Sequence, residues 1–451
     1  MKESRFIKIL IFISIGLSII GGIVFSYQKL TVERFSLIDM LGNKQISFLK
    51  IIPEIAGFNG ERTYLLLFQN NLELRPSGGY LGNFGIIKVK NGNPIIFEIH
   101  DTNIFDGFGK TITEPPKPMY DYLGIDNWQM RDGNWSPDFK ISAEQVEYFY
   151  HLQGGQENFD GIIAVNASIL PDLLKLTGPV YLEEFDKEFK SEDALYQLEY
   201  EVQKAYVSRN IEEGERKKIF KALTKEVLEQ IMQGSLSFKN EIKNLILKKL
   251  DEKNIILYLK NTDIQETISE FGWNGEVNQS YQDDYLMIVE ANLASKKSNA
   301  FIKREVEYFI NLNEEKPRVN LKIKYSHQNK EKDWFNDDYR AYLRIYLPYG
   351  AWLLETKRQD NETIFSKELD KTVFNNYIEI PSGQEKIIEY KYSLPISLAD
   401  KQKTDYRILV QKQIGVNNIP FNLILKGING KTYIKNQIIE KDWEGIISFE
   451  K

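Results

Sequence analysis

Residues 64–80 read YLLLFQNNLELRPSGGY, an uninterrupted apolar run followed by polar residues, a proline and two glycines. The run Tyr64–Phe68 has no alternation of polar and apolar positions, which predicts a strand covered on both faces. Asn70–Tyr80 then falls at the end of a buried strand, where ligands gather in an α/β sheet. Leu81–Lys90 and Pro94–His100 read as further strands joined by the hairpin turn Asn91-Gly92-Asn93. Ser142 and Gln145 have capping-box spacing for a helix through Leu152, closed by Gly154-Gly155. Gly161–Val165 is a second buried strand.

Helices and strands continue to alternate as far as Ser298. Ile169–Leu176 is a helix stopped by Thr177-Gly178-Pro179, and Val180–Leu182 a strand. Ser191 is placed to cap a helix through about Val207. Ile219, Phe220, Leu223, Val227, Leu228 and Ile231 recur with the 3.6-residue period. A helix at Glu241–Leu250 and strands at Ile255–Leu259 and Tyr285–Ala291 complete an α/β unit. The pattern then changes: Val319, Leu321, Ile323 and Tyr325 alternate with polar neighbours, as in a half-buried strand. Similar short runs follow to Ile434, predicting an antiparallel β-sandwich of the immunoglobulin-like kind. The expected organisation is a cytoplasmic tip and anchor over 1–28, a juxtamembrane segment over 29–60, an α/β domain over 61–298 and a β-sandwich over 299–451.

The anchor is read from Ile9–Tyr27, 19 residues without a charge. As a helix at about 1.5 Å per residue it spans about 30 Å, one bilayer crossing. Lys2, Arg5 and Lys8 precede it against Glu3, whereas Lys29 and Arg34 follow with Glu33, so the positive-inside bias places the N-terminus in the cytoplasm and the bulk outside. A cleavable signal peptide shares the basic start and apolar run, but Gly21–Ser26 lacks a good small-x-small cleavage site.

Composition excludes several chemistries. Lys and Arg number 58 against 64 Asp and Glu, a net charge of −6, and no basic block points to nucleic acid. With zero cysteines there is no disulfide, thiolate metal site or thiol nucleophile. His100, His151 and His327 lie too far apart in sequence for a paired-histidine zinc helix.

Three clusters remain for binding or catalysis. Arg75, with Ser77, Gly78 and Gly79, has the makings of a phosphate or pyrophosphate grip, since glycines let backbone N–H groups approach an anion that arginine clamps. The same residues also read as a tight turn in which Arg75 bridges Glu73 or Asp101. Asp101, Asp106, Asp132 and Asp138 fall near strand ends and a helix start, where carboxylates hold a Mg²⁺ on a diphosphate or serve as turn-formers and caps. Asp101 is the one favoured for metal. Arg209 and Arg216 flank a helix connection and read either as two further anion contacts or as a solvated face paired to Glu212, Glu213 and Glu215.

The stretch Asn71–Gly79 resembles the hallmark Asn-x-Glu-x-Arg-Pro-Ser/Thr-Gly-Gly of DUF4012, a bacterial, membrane-anchored family of unknown function. The resemblance extends to Asn134–Asp138, Phe159–Val165, Thr177–Val180 and Asp284–Asn292. More distantly, the order of elements is similar to that of the LytR-CpsA-Psr phosphotransferases, which move glycopolymers from a polyprenyl-pyrophosphate carrier onto peptidoglycan. Tyr206–Arg209 and Gly214–Arg216 resemble that family's arginine-bearing stretch. Two departures stand out: His100-Asp101-Thr102 replaces an Arg-Asp-Thr triplet, and the Ser77-Gly78-Gly79 loop replaces an Arg/Ser-Asp-Thr opening.

In that family arginines grip the pyrophosphate and an aspartate helps hold a Mg²⁺, which the resemblance carries to Arg209, Arg216 and Asp101. Joined to the residue reading, the expectation is a polyprenyl-pyrophosphate glycan gripped by Arg75, Arg209 and Arg216, a Mg²⁺ held by Asp101, and a carboxylate such as Asp138 deprotonating the acceptor, with the membrane and cell-wall polymer as partners. The alternative expectation is a non-enzymatic envelope assembly protein on a retired enzyme fold.

Overall fold

In the computed structural model, the described residues are 51–109, 111–357, 360–395 and 405–449. The expected anchor, Ile9–Tyr27, lies outside them. Among the described residues, no helix is long and apolar enough to cross a membrane.

The chain forms two compact units, each assembled from separated segments. Of the described residues, the first takes in those from Ile51 to Gln69, Leu81–Thr111 and Ala143–Gly275, and the second takes in Asn70–Tyr80, Ile112–Ser142 and those from Glu276 on. The last change of unit therefore falls between Gly275 and Glu276, where the sequence reading placed it at 298/299.

The first unit holds a mixed five-stranded sheet in the order β3-β2-β1-β4-β7, while the Asn70–Arg75 end of β1 and the Gly78–Tyr80 start of β2 fall in the second unit. Its strands are β1 (Arg62–Arg75), β2 (Gly78–Lys90), β3 (Asn93–Asp101), β4 (Gly161–Asn166) and β7 (Ile255–Leu259). A small hairpin of β5 (Val180–Leu182) and β6 (Lys187–Phe189) stands apart. β1 and β4 run parallel, with Tyr64 opposite Gly161 and Gln69 opposite Asn166, while β2–β3 and β4–β7 are antiparallel. The apolar Tyr64–Phe68 run lies in the middle strand, as its pattern predicts. At 14 residues β1 is far longer than that run, spanning roughly 45 Å.

The α-helices of five or more residues are α1 (Thr102–Asp106), α2 (Phe139–Leu152), α3 (Ile169–Thr177), α4 (Ala194–Tyr200), α5 (Lys218–Gln233), α6 (Leu236–Asp251) and α7 (Thr262–Glu270). The periodic set Ile219, Leu223, Val227 and Ile231 turns one face of α5 into a core shared with Leu173, Leu174, Leu257 and Trp273. Burying each such aliphatic side chain is worth about 2 kcal/mol, so tertiary packing stabilises the helix more than propensity does. α2 begins three residues before the expected Ser142. Asp138 Oδ1 accepts from the Ile141 amide at 3.3 Å and caps the helix, while the Ser142 hydroxyl donates to Ser136 O at 2.8 Å.

The second unit is a sandwich of two six-stranded sheets. One has the order β12-β15-β10-β9-β17-β18 and the other β13-β14-β11-β8-β16-β19. In chain order these are β8 (Asp284–Asn292), β9 (Ile302–Asn311), β10 (Arg318–His327), β11 (Tyr339–Pro348), β12 (Trp352–Lys357), β13 (Ile364–Glu368), β14 (Lys371–Ile380), β15 (Glu385–Ser393), β16 (Asp405–Gln411), β17 (Ile419–Lys426), β18 (Thr432–Ile439) and β19 (Trp443–Ser448). The alternating Val319, Leu321, Ile323 and Tyr325 point into a core with Leu343, Phe374 and Ile408 of the facing sheet. The sandwich is not wholly antiparallel as expected: β16 pairs parallel with β8, and β17 parallel with β9. Strand direction leaves no mark on a period-two pattern, so the sequence carries no trace of these two pairings.

Candidate functional site

The hairpin of β1 and β2 has only Pro76 and Ser77 at its tip, so the expected loop is instead an extension of two strands. Gly79 is required there because a Cβ would lie 2.2 Å from the backbone carbon of Asn70. Gly78 adopts φ +132°, a region that L side chains rarely enter. These glycines bring backbone to backbone.

Every polar member of the motif is tied to other segments of the second unit. The Asn71 amide donates to Gly415 O at 2.9 Å. Glu73 pairs with Lys297. Arg75 donates from Nε and Nη2 to Asp132 Oδ1 at 3.0 and 2.9 Å, and from Nη1 to Asn292 O at 2.9 Å. The Ser77 hydroxyl donates to Asn134 O at 3.4 Å, and the Asn134 amide returns a bond to Gly79 O at 2.8 Å. Gln413 Nε2 donates to Arg75 O, Pro76 O and Glu290 O. Arg75 is 4% exposed and Ser77 0%. The Arg75–Glu73 and Arg75–Asp101 bridges weighed from sequence do not form, because Asp132 takes the guanidinium fork. A guanidinium so enclosed positions backbone; it presents no face to a ligand.

Asp138 is equally committed. Its Oδ1 caps α2 and its Oδ2 accepts from the Val277 amide at 2.9 Å. Burial raises its carboxyl above the ordinary range, with the Val277 and Ile141 amides working the other way. A carboxyl at 3% exposure with both oxygens bonded to backbone is placed as a cap, not as a general base within reach of an acceptor hydroxyl.

The remaining expected site residues, Asp101, Arg209 and Arg216, belong to the first unit. Asp101 Oδ1 accepts from Lys217 Nζ at 2.7 Å and from the Asn103 amide at 2.9 Å, which caps α1. Lys217 also donates to Gly82 O at 2.5 Å. Burial pushes the Lys217 ammonium below its ordinary pKa, Asp101 pulls against this, and the neighbouring Arg216 adds to it. Asn83 lies opposite Asp101 in the β2–β3 register, and Thr102 follows it. Asn83 Oδ1 and Thr102 Oγ1 are both buried without a partner among the described residues. Arg209 is held by Glu201 at 3.1 Å and by Phe185 O, not by Glu212, Glu213 or Glu215.

Two of the expected residues, Asp101 and Arg216, thus adjoin Lys217, which sequence reasoning missed. The signal is the basic triplet Arg216-Lys217-Lys218, in which sequence alone does not set Lys217 apart. No group of three His, Asp or Glu among the described residues is placed to hold a metal ion. Asp101 fits a Mg²⁺ poorly, since an ammonium already occupies the oxygen the ion would take.

No curated protein matches the chain. Among solved structures, a candidate nutrient-binding protein of Legionella pneumophila aligns at TM-score 0.24 and 8% identity, covering 36% of this chain and 70% of its own. The Lin1025 protein of Listeria innocua aligns at TM-score 0.24 and 14% identity, covering 48% and 79%. Similarity at that level carries no argument about fold or activity. Residues 59–202 match the family model described as a protein of unknown function, DUF4012, and it is to this family that the chain is similar.

Proposed function

We propose that the protein is an extracytoplasmic, membrane-anchored envelope protein that works by binding and assembly, not by turnover. One observation carries this reading: Arg75, the motif residue best suited to grip a pyrophosphate, is buried against Asp132 and Asn292 O. Asp138, the expected base, is likewise spent on two backbone amides. Anchoring rests on the Ile9–Tyr27 run and its flanking charges.

A second reading, transfer of a polyprenyl-pyrophosphate-linked glycan, is favoured by the Lys217 cluster. There, Lys217 and Arg216 supply positive charge, and two unpartnered buried oxygens accept hydrogen bonds from an incoming hydroxyl or water. Lys217 would do the charge neutralisation expected of Mg²⁺.

Mass spectrometry of lipids retained by the detergent-purified full-length protein, with release of polyprenyl phosphate from a pyrophosphate-linked glycan as the turnover assay, separates the two. The assembly reading expects no release from wild type. Release that falls at least tenfold in Asp101→Asn or Lys217→Met would sink it and establish the transfer reading. Protease protection of a C-terminal tag in intact cells tests the location, and digestion only after lysis would place the bulk inside.

A further inference from the structure

Asparagine followed by glycine is a chemically fragile pair, and asparagine is among the thermolabile residues. The glycine N–H gives up its proton and the nitrogen attacks the side-chain carbonyl carbon. A C–N bond forms, the Cγ–Nδ2 bond breaks, and ammonia leaves with a proton in place of the one the glycine lost. Water then opens the cyclic imide on either side, giving aspartate or isoaspartate. The rate depends on whether the glycine N–H is free and the side chain can fold back on it. Structure therefore ranks sites that the sequence makes equal. The chain has four: Asn59-Gly60, Asn91-Gly92, Asn274-Gly275 and Asn429-Gly430.

Three of these are restrained. The Gly92 amide donates to Ala56 O at 2.8 Å and the Asn91 amide to Gly57 O at 2.9 Å, so the turn joining β2 and β3 is pinned at both residues. The Gly430 amide donates to Gly427 O at 2.9 Å. The Asn429 side chain is held at both ends, with Nδ2 donating to the Tyr433 hydroxyl at 2.9 Å and Oδ1 accepting from the Lys431 amide at 3.1 Å. Asn274 Nδ2 donates to Ser269 Oγ at 2.9 Å, and Gly275 is buried.

Asn59-Gly60 has none of these restraints. Both residues are exposed, in the turn over residues 56–60 that leads into β1. Neither the Asn59 side chain nor the Gly60 amide has a hydrogen-bond partner among the described residues. A Cβ built on Gly60 would meet only Arg62 Nη1, at 3.5 Å, so the space around this residue is open.

We propose that Asn59 is the deamidation site of this protein, and that its conversion loosens the turn from the β2–β3 hairpin. The same turn supplies Ala56 O and Gly57 O to that hairpin, and a Cβ on Gly57 would lie 2.5 Å from Val89 O. An isoaspartyl link lengthens the backbone by a carbon just beyond these carbonyls. Either product also sets a new negative charge two residues before Glu61.

Full-length wild type in detergent, kept native at mildly alkaline pH and sampled over days, is digested and read by mass spectrometry. The peptide spanning Asn59 exchanges amide for acid at least tenfold faster than those spanning Asn91, Asn274 and Asn429, and resolves into aspartyl and isoaspartyl forms. In urea the four rates converge, because only the shared dipeptide chemistry remains. Amide hydrogen exchange at Asn91 and Gly92 rises in aged wild type and not in aged Asn59→Gln, an exposed substitution that leaves the melting temperature of fresh protein unchanged. Conversion of another Asn-Gly in the native protein as fast as Asn59 overturns the assignment. Equal exchange in the two aged proteins overturns the loosening.

Discussion

Two polar centres, one in each unit, are built to different standards. In the second unit Glu290 receives Arg304 in a two-pronged pair at 2.7 Å on each oxygen, with Tyr325 donating at 3.0 Å and Tyr339 closing the set. Arg75 is tied through Asp132 Oδ1 and Asn292 O, although Asn134 Oδ1 in the same network has no partner among the described residues. In the first unit Lys217 meets one carboxylate and one carbonyl, and beside it Asn83 Oδ1 and Thr102 Oγ1 have no partner among the described residues. A saturated centre fixes geometry and has nothing left for a ligand. An unsaturated one is the place where a ligand completes the count of bonds. The difference directs the search for binding to the ends of β2 and β3, away from the motif that the sequence makes conspicuous.

The largest effect falls on the most saturated centre. Arg304→Met strands Glu290 in the sandwich core and costs about 3–5 kcal/mol in urea unfolding, whereas the double replacement Arg304→Met/Glu290→Met recovers much of that loss. A single variant that unfolds within about 1 kcal/mol of wild type would break the comparison at its stronger end. Arg75→Met follows, at about 3 kcal/mol, because Asp132 and Asn292 O both lose their donor. Lipid retention at equal folded fraction stays unchanged in this variant. A specific loss of ligand without loss of stability would return Arg75 to the binding site.

Asp284 sharpens the comparison through pH. Its Oδ2 accepts from Tyr308 at 2.7 Å and Tyr406 at 2.5 Å, Tyr392 donates to the Tyr308 hydroxyl at 3.3 Å, and no cation among the described residues offsets the burial. Burial pushes the carboxyl up to about 6, against the hydrogen bonds of Tyr406, Tyr308 and the Tyr285 amide, which lower it. The native state therefore holds this proton to higher pH than the unfolded chain does. The stabilisation is present in full below the unfolded value near 4 and is lost as pH rises to about 6, a difference of roughly 3 kcal/mol before solvent relaxation reduces it. Asp284→Asn should flatten that part of the stability profile. An unchanged profile would place the titration elsewhere.

The smallest effect is expected at Lys217. Its ion pair is about one-tenth exposed on both side chains, so Lys217→Met costs about 1–2 kcal/mol. Diphosphate should raise the melting temperature of the wild type and not of this variant. Equal shifts in both would remove the Lys217 cluster from consideration.

Much of the architecture was legible because it follows from periodicity. Tyr64–Phe68, the Asn91-Gly92 turn, the apolar face of α5 and the alternation at Val319–Tyr325 each depend on neighbours within a few residues. The motif was legible as unusual but not as to purpose. Pro-Ser-Gly-Gly serves equally at a ligand loop and a hairpin tip, and the choice depends on Asp132, Asn292 and Gln413, which are 57 to 338 residues away. The strand β8 was recognised as a strand, yet its place in the sandwich depends on pairing with β11 and β16, which leaves no local mark. Lys217 is not legible in the sequence, because a lysine in a basic triplet reads as solvated until its burial is known.

The bond from Asn71 to Gly415 joins residues 344 positions apart. At about 5–20 residues per second, a ribosome needs roughly 20 to 70 s after making Asn71 before Gly415 exists. Through that interval the hairpin tip, with an arginine and an asparagine destined for burial, has part of its lining still unmade. The second unit cannot complete this contact until residue 415 has been made. Its earliest segment waits on its last strands, so a premature stop or a slow codon near the 3′ end of the message would leave the motif uncovered, however perfectly the preceding chain had folded.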